Sequence, residues 1–136
     1  MAVNIEGRYL GDKRVEVIHG PSGSKIVTDA PKDNHGLGRY FSPTDLIGAS
    51  LGSCVLTILG IVAEKHGYDI SGSSFELEKH MYSEPRRVGK LKLLVHLPSN
   101  LSEEARELLE KAGSSCPVRH SLKDDMEIEM GFTYDV

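Results

Sequence analysis

Two thiols are the most reactive side chains in this sequence. Cys54 lies in "SLGSCVLTI" (50–58) and Cys116 in "SSCPVRHSL" (114–122), and the 136 residues contain no other cysteine. A thiolate is both a nucleophile and a metal ligand. Two cysteines in a chain with no secretory start rarely form a permanent structural bridge, so the open readings are free, metal-bound or redox-active thiols. The start, "MAVNIEGRYL", has no basic stretch leading into an apolar core. No signal peptide is expected, and a cytoplasmic location is.

The surroundings of the two cysteines differ. Cys116 precedes Pro117, which fits the first position of a short helix. Cys116 would then be the N-cap, where backbone N–H groups favour an anion and a lowered pKa is expected. Cys54 falls about three turns inside a long apolar segment, beyond the reach of a helix N-terminus. Helical spacing gives it Ser50, Leu51 and Ile58 as neighbours, none of them basic. A reactive Cys54 therefore needs a cation from elsewhere: Arg39 or Arg14 of this chain, or the same residues of a partner chain. The bland readings are an inert small hydrophobe at Cys54 and a space-filling thiol at Cys116.

Metal binding is the rival chemistry. Cys116 and His120 stand at i and i+4, and with Cys54 and His35 they would complete a Cys₂His₂ set. No C-x-x-C or H-x-x-x-H pair accompanies them, so the spacing falls short of the usual zinc patterns. His19, His66, His80 and His96 read as strand or surface positions without partners. There is no Ser-His-Asp signature or P-loop, and "GLGRYF" lacks the third glycine of a dinucleotide fingerprint. No cofactor is implied.

The elements that must position these residues follow from the patterning. "AVNIEGRYL" (2–10), "RVEVIH" (14–19) and "KIVTDA" (25–30) read as three strands of an antiparallel meander, with "GPSG" (20–23) as a turn. After the connector 31–41, Ser42 caps, Pro43 takes the first helical position and Asp45 sits in the first turn. The helix should run over 43–66 and end at Gly67. Strands are expected over 73–84 and 86–97, each charged on one face. A helix follows over 98–113, capped by Ser102, and a closing strand over 125–134. The order βββ-α-ββ-α-β groups strands rather than alternating them with helices, which makes the chain α+β. One domain spanning 1–136 is expected.

Composition bounds the partners. The chain is 39% hydrophobic and 26% charged with a net charge of -4, so it carries no basic footprint for nucleic acid. "LIGASLGSCVLTILGIVA" (46–63) is uncharged and approaches the length of a membrane span, and Gly48 and Gly52 form G-x-x-x-G. Its glycines, serines and threonine dilute the apolarity, and the favoured reading is a helix buried all round in a protein with no membrane partner. "LGSC" (51–54) also matches a lipid-attachment pattern, but far from any leader. A helix with so little polar face needs a second covering surface, which a homodimer supplies.

The stretches "SPTDLIGASLGSC", "PRRV" and "CPVRHSL" together resemble the family of osmotically inducible and organic-hydroperoxide-resistance proteins (OsmC/Ohr), and "DNHGLGRYFSPTDL" resembles its OsmC-like branch. The resemblance covers nearly the whole chain. It implies antiparallel sheets wrapped around a long central helix in an intertwined homodimer. It also implies a thiol peroxidase acting on organic hydroperoxides in oxidative stress, with Cys54 as nucleophile, Cys116 as resolving thiol and a dithiol reductant. Peroxidase members hold the thiolate with an arginine and a glutamate. Here Arg39 lies in the matching connector, and Thr44 then Asp45 stand where one type has glutamate. The alternative within the same fold is a non-catalytic protein that binds a small apolar ligand.

Overall fold

Alternation in the first thirty residues becomes sheet. In the computed structural model, which describes residues 1–136, β1 (Ile5–Gly11), β2 (Arg14–His19) and β3 (Lys25–Asp29) form an antiparallel meander. The β1–β2 turn carries Gly11, Asp12 and Lys13 at positive φ. Register places Ile5, Tyr9, Val15, Val17 and Ile26 on one face, and Arg8, Glu16, Arg14 and Asp29 on the other. On the first face Ile5 is 65% and Tyr9 68% exposed, while Val15 and Val17 are half-buried and Thr28 is buried. In the connector the chain folds back so closely that a Cβ on Gly36 would lie 1.8 Å from the Ala30 carbonyl oxygen, so only glycine fits.

α1 runs from Pro43 to His66, as the sequence predicts. Its start is a reciprocal cap. The Ser42 hydroxyl accepts the Asp45 N–H at 3.1 Å, and the Asp45 carboxylate accepts the Ser42 N–H at 2.9 Å. The chain divides within this helix into two compact units, Met1–Ile47 and Gly48–Val136.

The second unit holds the larger core. β4 (Ser74–Tyr82), β5 (Arg87–Leu97) and β6 (Glu127–Tyr134) form a sheet in that order. Leu91, Leu93, Val95 and Leu97 of β5 are buried on its inner face, while Glu76, Glu78, Lys92 and Glu129 line the outer one. β5 and β6 pair in parallel, a departure from the all-antiparallel expectation. Residues 98–126 between them contain α2 (Glu103–Gly113) and α3 (Pro117–Ser121), and a crossover of that length is what parallel neighbours require.

Helix α1 meets the second sheet through its glycines. A Cβ on Gly48 would lie 2.6 Å from the Leu77 side chain, and one on Gly52 would lie 2.4 Å from the Phe75 ring. The G-x-x-x-G pair thus seats the helix on β4 of its own chain, not on a second helix. Leu51, Val55 and Leu59 continue that stripe with no exposed surface. α2 closes the core: a Cβ on Gly113 would touch Phe132, Val55 and Leu59. The Tyr134 hydroxyl donates to Glu110, and Arg106 lies 4.1 Å over the Tyr134 ring.

Candidate active site

Cys54 stands beside the buried stripe of α1, between exposed Ser53 and buried Val55, and its side chain is half-buried. Cys116 has no exposed surface. It caps α3, and its Sγ accepts the Arg119 N–H at 3.4 Å. The two thiols are free, and Cys54 lies close enough to Cys116 to push its pKa up. The second unit thus brings together two residues that stand sixty-two positions apart in the sequence.

The expected lowering of the Cys116 pKa is overturned. Burial pushes this thiol up, against the pull of the Arg119 N–H, and the adjacent Cys54 pushes it further. α3 has five residues, so its N–H groups are too few to offset the loss of water around a thiolate. The sequence shows the cap but not the depth of burial. Cys116 is accordingly held as a neutral thiol.

The other predicted residues lie in the first unit. The Arg39 Nε–H and backbone N–H both donate to Asp29 Oδ2, at 2.9 and 3.1 Å, and its Nη2 reaches Asp12 at 3.1 Å. Asp29 has no exposed side chain, and Arg39 holds its carboxyl below the usual carboxylate range. Arg14 faces Asp29 across the β2–β3 ladder. The Arg14 Nε and the second Asp29 oxygen are both buried without a hydrogen-bond partner. Asp45 serves the helix cap.

A family model described as OsmC-like protein matches residues 35–131, a span that holds both cysteines. The chain belongs to the OsmC-like family. Among solved structures it is similar to one from Psychrobacter arcticus, described as an osmotic stress induced and detoxification response protein. The identity is 36% with a TM-score of 0.92, over 98% of this chain and 97% of that one. It shares its fold with the organic hydroperoxide resistance protein OsmC of Legionella pneumophila, at 18% identity and TM-score 0.74, over 98% and 97% of the two chains. It is also 26% identical to an uncharacterized protein of Acinetobacter baylyi, over 81% of this chain and 78% of the other.

Within this OsmC-like chain no group of three or more His, Cys, Asp or Glu side chains could hold a metal ion. The His120 Nε2 is bonded to Ser115 Oγ at 2.9 Å. The histidines read as partnerless are not so. His19 bonds Ser22, His80 bonds Glu78 and His66 stacks on Tyr68. His96 bonds Glu76 at 3.0 Å, Asp135 at 3.1 Å and Thr133 at 2.8 Å. Glu76 and Asp135 hold the His96 pKa above its ordinary value. These partners come from β4 and from the end of β6, so only strand register could have disclosed the cluster.

Proposed function

We propose that this OsmC-like protein is a cysteine peroxidase that reduces organic hydroperoxides through a Cys54–Cys116 cycle. The observation that carries this reading is the closeness of a half-buried thiol, Cys54, to a fully buried one, Cys116, whose pKa it raises. The Cys54 thiolate attacks the outer oxygen of ROOH, the O–O bond breaks and the alkoxide leaves and takes a proton from water to become ROH, so Cys54 becomes a sulfenic acid. Cys116 Sγ then attacks Cys54 Sγ, water departs and a disulfide forms. A dithiol reductant returns both thiols. The apolar run of α1 that carries Cys54 suits an organic peroxide better than a small polar one.

For the cation that supports the Cys54 thiolate we propose Arg39, with Arg14 as the alternative. Arg39 keeps N–H groups beyond those given to Asp29 and Asp12, because a guanidinium carries five. Asp45 takes a positioning part through the start of the helix that carries Cys54. We propose a cytoplasmic homodimer, the compartment being one that supplies dithiols. Its support is the exposed Ile5, Tyr9 and Ile26 of β1–β3 together with exposed Ser53, Thr57 and Ile61 on α1. Light scattering should give a dimer mass; a folded monomer at micromolar concentration contradicts the pairing.

Consumption of cumene hydroperoxide with a dithiol reductant tests the activity. Wild type should turn over and Cys54→Ser should not. Equal rates in the two proteins would remove Cys54 from the nucleophile's role.

A further inference from the structure

The end of α1 and the side of α2 flank a cleft of about 360 Å³ that the thiols do not line. His66 and Tyr68 form one wall, and Glu104, Glu107, Leu108 and Lys111 of α2 form the other. All six residues belong to the second unit. His66 stands twelve positions beyond Cys54, roughly 18 Å along the helix axis. Helical spacing puts His66 on the side of Leu59 and Ala63, at i+7 and i+3, and turns it away from Ser53, Thr57 and Ile61. The surface assigned above to a second copy of the chain therefore leaves this cleft open.

Three features of the cleft favour positive charge. α1 ends there, at His66, and a helix C-terminus carries partial negative charge. Glu104 and Glu107 add two carboxylates. Their neighbour Glu103 is paired with Arg106, but neither Glu104 nor Glu107 is engaged in an ion pair or a side-chain hydrogen bond. The rings of His66 and Tyr68 stack with centroids 5.7 Å apart and planes 16° from parallel. An aromatic face attracts a cation through its quadrupole. A guest ring between the two would need carbon contacts of about 3.5 Å on both sides, so a guest lies against the outside of the stack. Half-buried Leu108 supplies apolar contact. Lys111 offsets one of the two carboxylates, which leaves the charge of a single cation to be matched.

We propose that this cleft binds a small organic cation with one positive charge and an aromatic or apolar body, such as an arylalkylamine. The ammonium group is held by Glu104 and Glu107 at the end of α1, and the body covers Tyr68 and Leu108. The volume lies at the low end of ordinary ligand clefts, about 300–1,000 Å³. It suits one ring with a short chain. The site uses neither thiol and stands apart from the proposed peroxidase cycle.

Titration of the reduced full-length protein with 2-phenylethylamine, followed by two-dimensional amide NMR, tests the site. Saturable shifts should appear at residues 66–68 and 104–111. 2-Phenylethanol keeps the ring and chain but lacks the charge, and should bind roughly tenfold more weakly. Tyr68→Leu should weaken the amine by roughly two- to fivefold, the worth of one exposed cation–ring contact. The double variant Glu104→Gln, Glu107→Gln should weaken it as well and keep the fold, because both side chains are exposed. Absence of saturable shifts at these residues with millimolar amine overturns the proposal. So does equal affinity for the amine and the alcohol, or undiminished affinity for the amine in the double variant.

Discussion

Cys116 carries two opposed influences, a cap position that favours a thiolate and burial that disfavours it, and burial wins. That outcome divides the chemistry. A neutral, enclosed thiol is a poor first attacker on a peroxide but is well placed to trap an oxidised neighbour. The substitution Cys116→Ser isolates this part, because serine is a better N-cap than cysteine and keeps α3 in place. The variant should react once with peroxide, then stall with Cys54 as sulfenic acid and progress to higher oxides. Mass spectrometry of the treated variant checks this, and an unmodified Cys54 would sink the resolving role. The sequence exposed both thiols and the cap at Cys116. It could not expose their closeness, which is built by packing over sixty-two positions, nor the Asp29 anchor of Arg39, which arises from a turn in the connector.

Local rules made α1 and α2 readable: Ser42 and Ser102 cap, and Gly113 ends the second helix where the pattern stops. The strands were readable from their alternation, but the parallel sense of β6 was not, because alternation carries no direction. What packs against Gly48 and Gly52 was not readable for a similar reason. Small residues announce a close approach without saying by what, and here they admit Phe75 and Leu77 of β4. Gly52→Ala should therefore destabilise the protein by about 1–3 kcal/mol, the usual cost of forcing extra volume into a packed contact. Denaturant unfolding measures this. An unchanged or higher midpoint would mean that α1 does not rest on β4 at this point.

The assembled second unit carries its own pH dependence through His96, which ties β5 to β4 and to the end of the chain. Its folded pKa is raised above 6.5, so its contribution is fully present below pH 6.5 and is lost as pH rises through the folded value. Asp135 has a folded pKa below 3.8, so its contribution is present above pH 3.8 and is lost as pH falls through the folded value. Between those limits both ends of the pair are charged. His96→Gln should lower the melting temperature most near pH 5 and least near about pH 9, and a difference that does not vary with pH would refute the ion pair. In the proposed cycle the chain acts in one redox event, with a peroxide entering and an internal bond remaining. The most direct measurement is the intact mass and alkylation state of reduced protein after one equivalent of an organic hydroperoxide with no reductant present. The account predicts a loss of two hydrogens, no alkylatable thiol and a single cross-linked peptide joining Cys54 to Cys116; both cysteines still free for alkylation after exposure would contradict it.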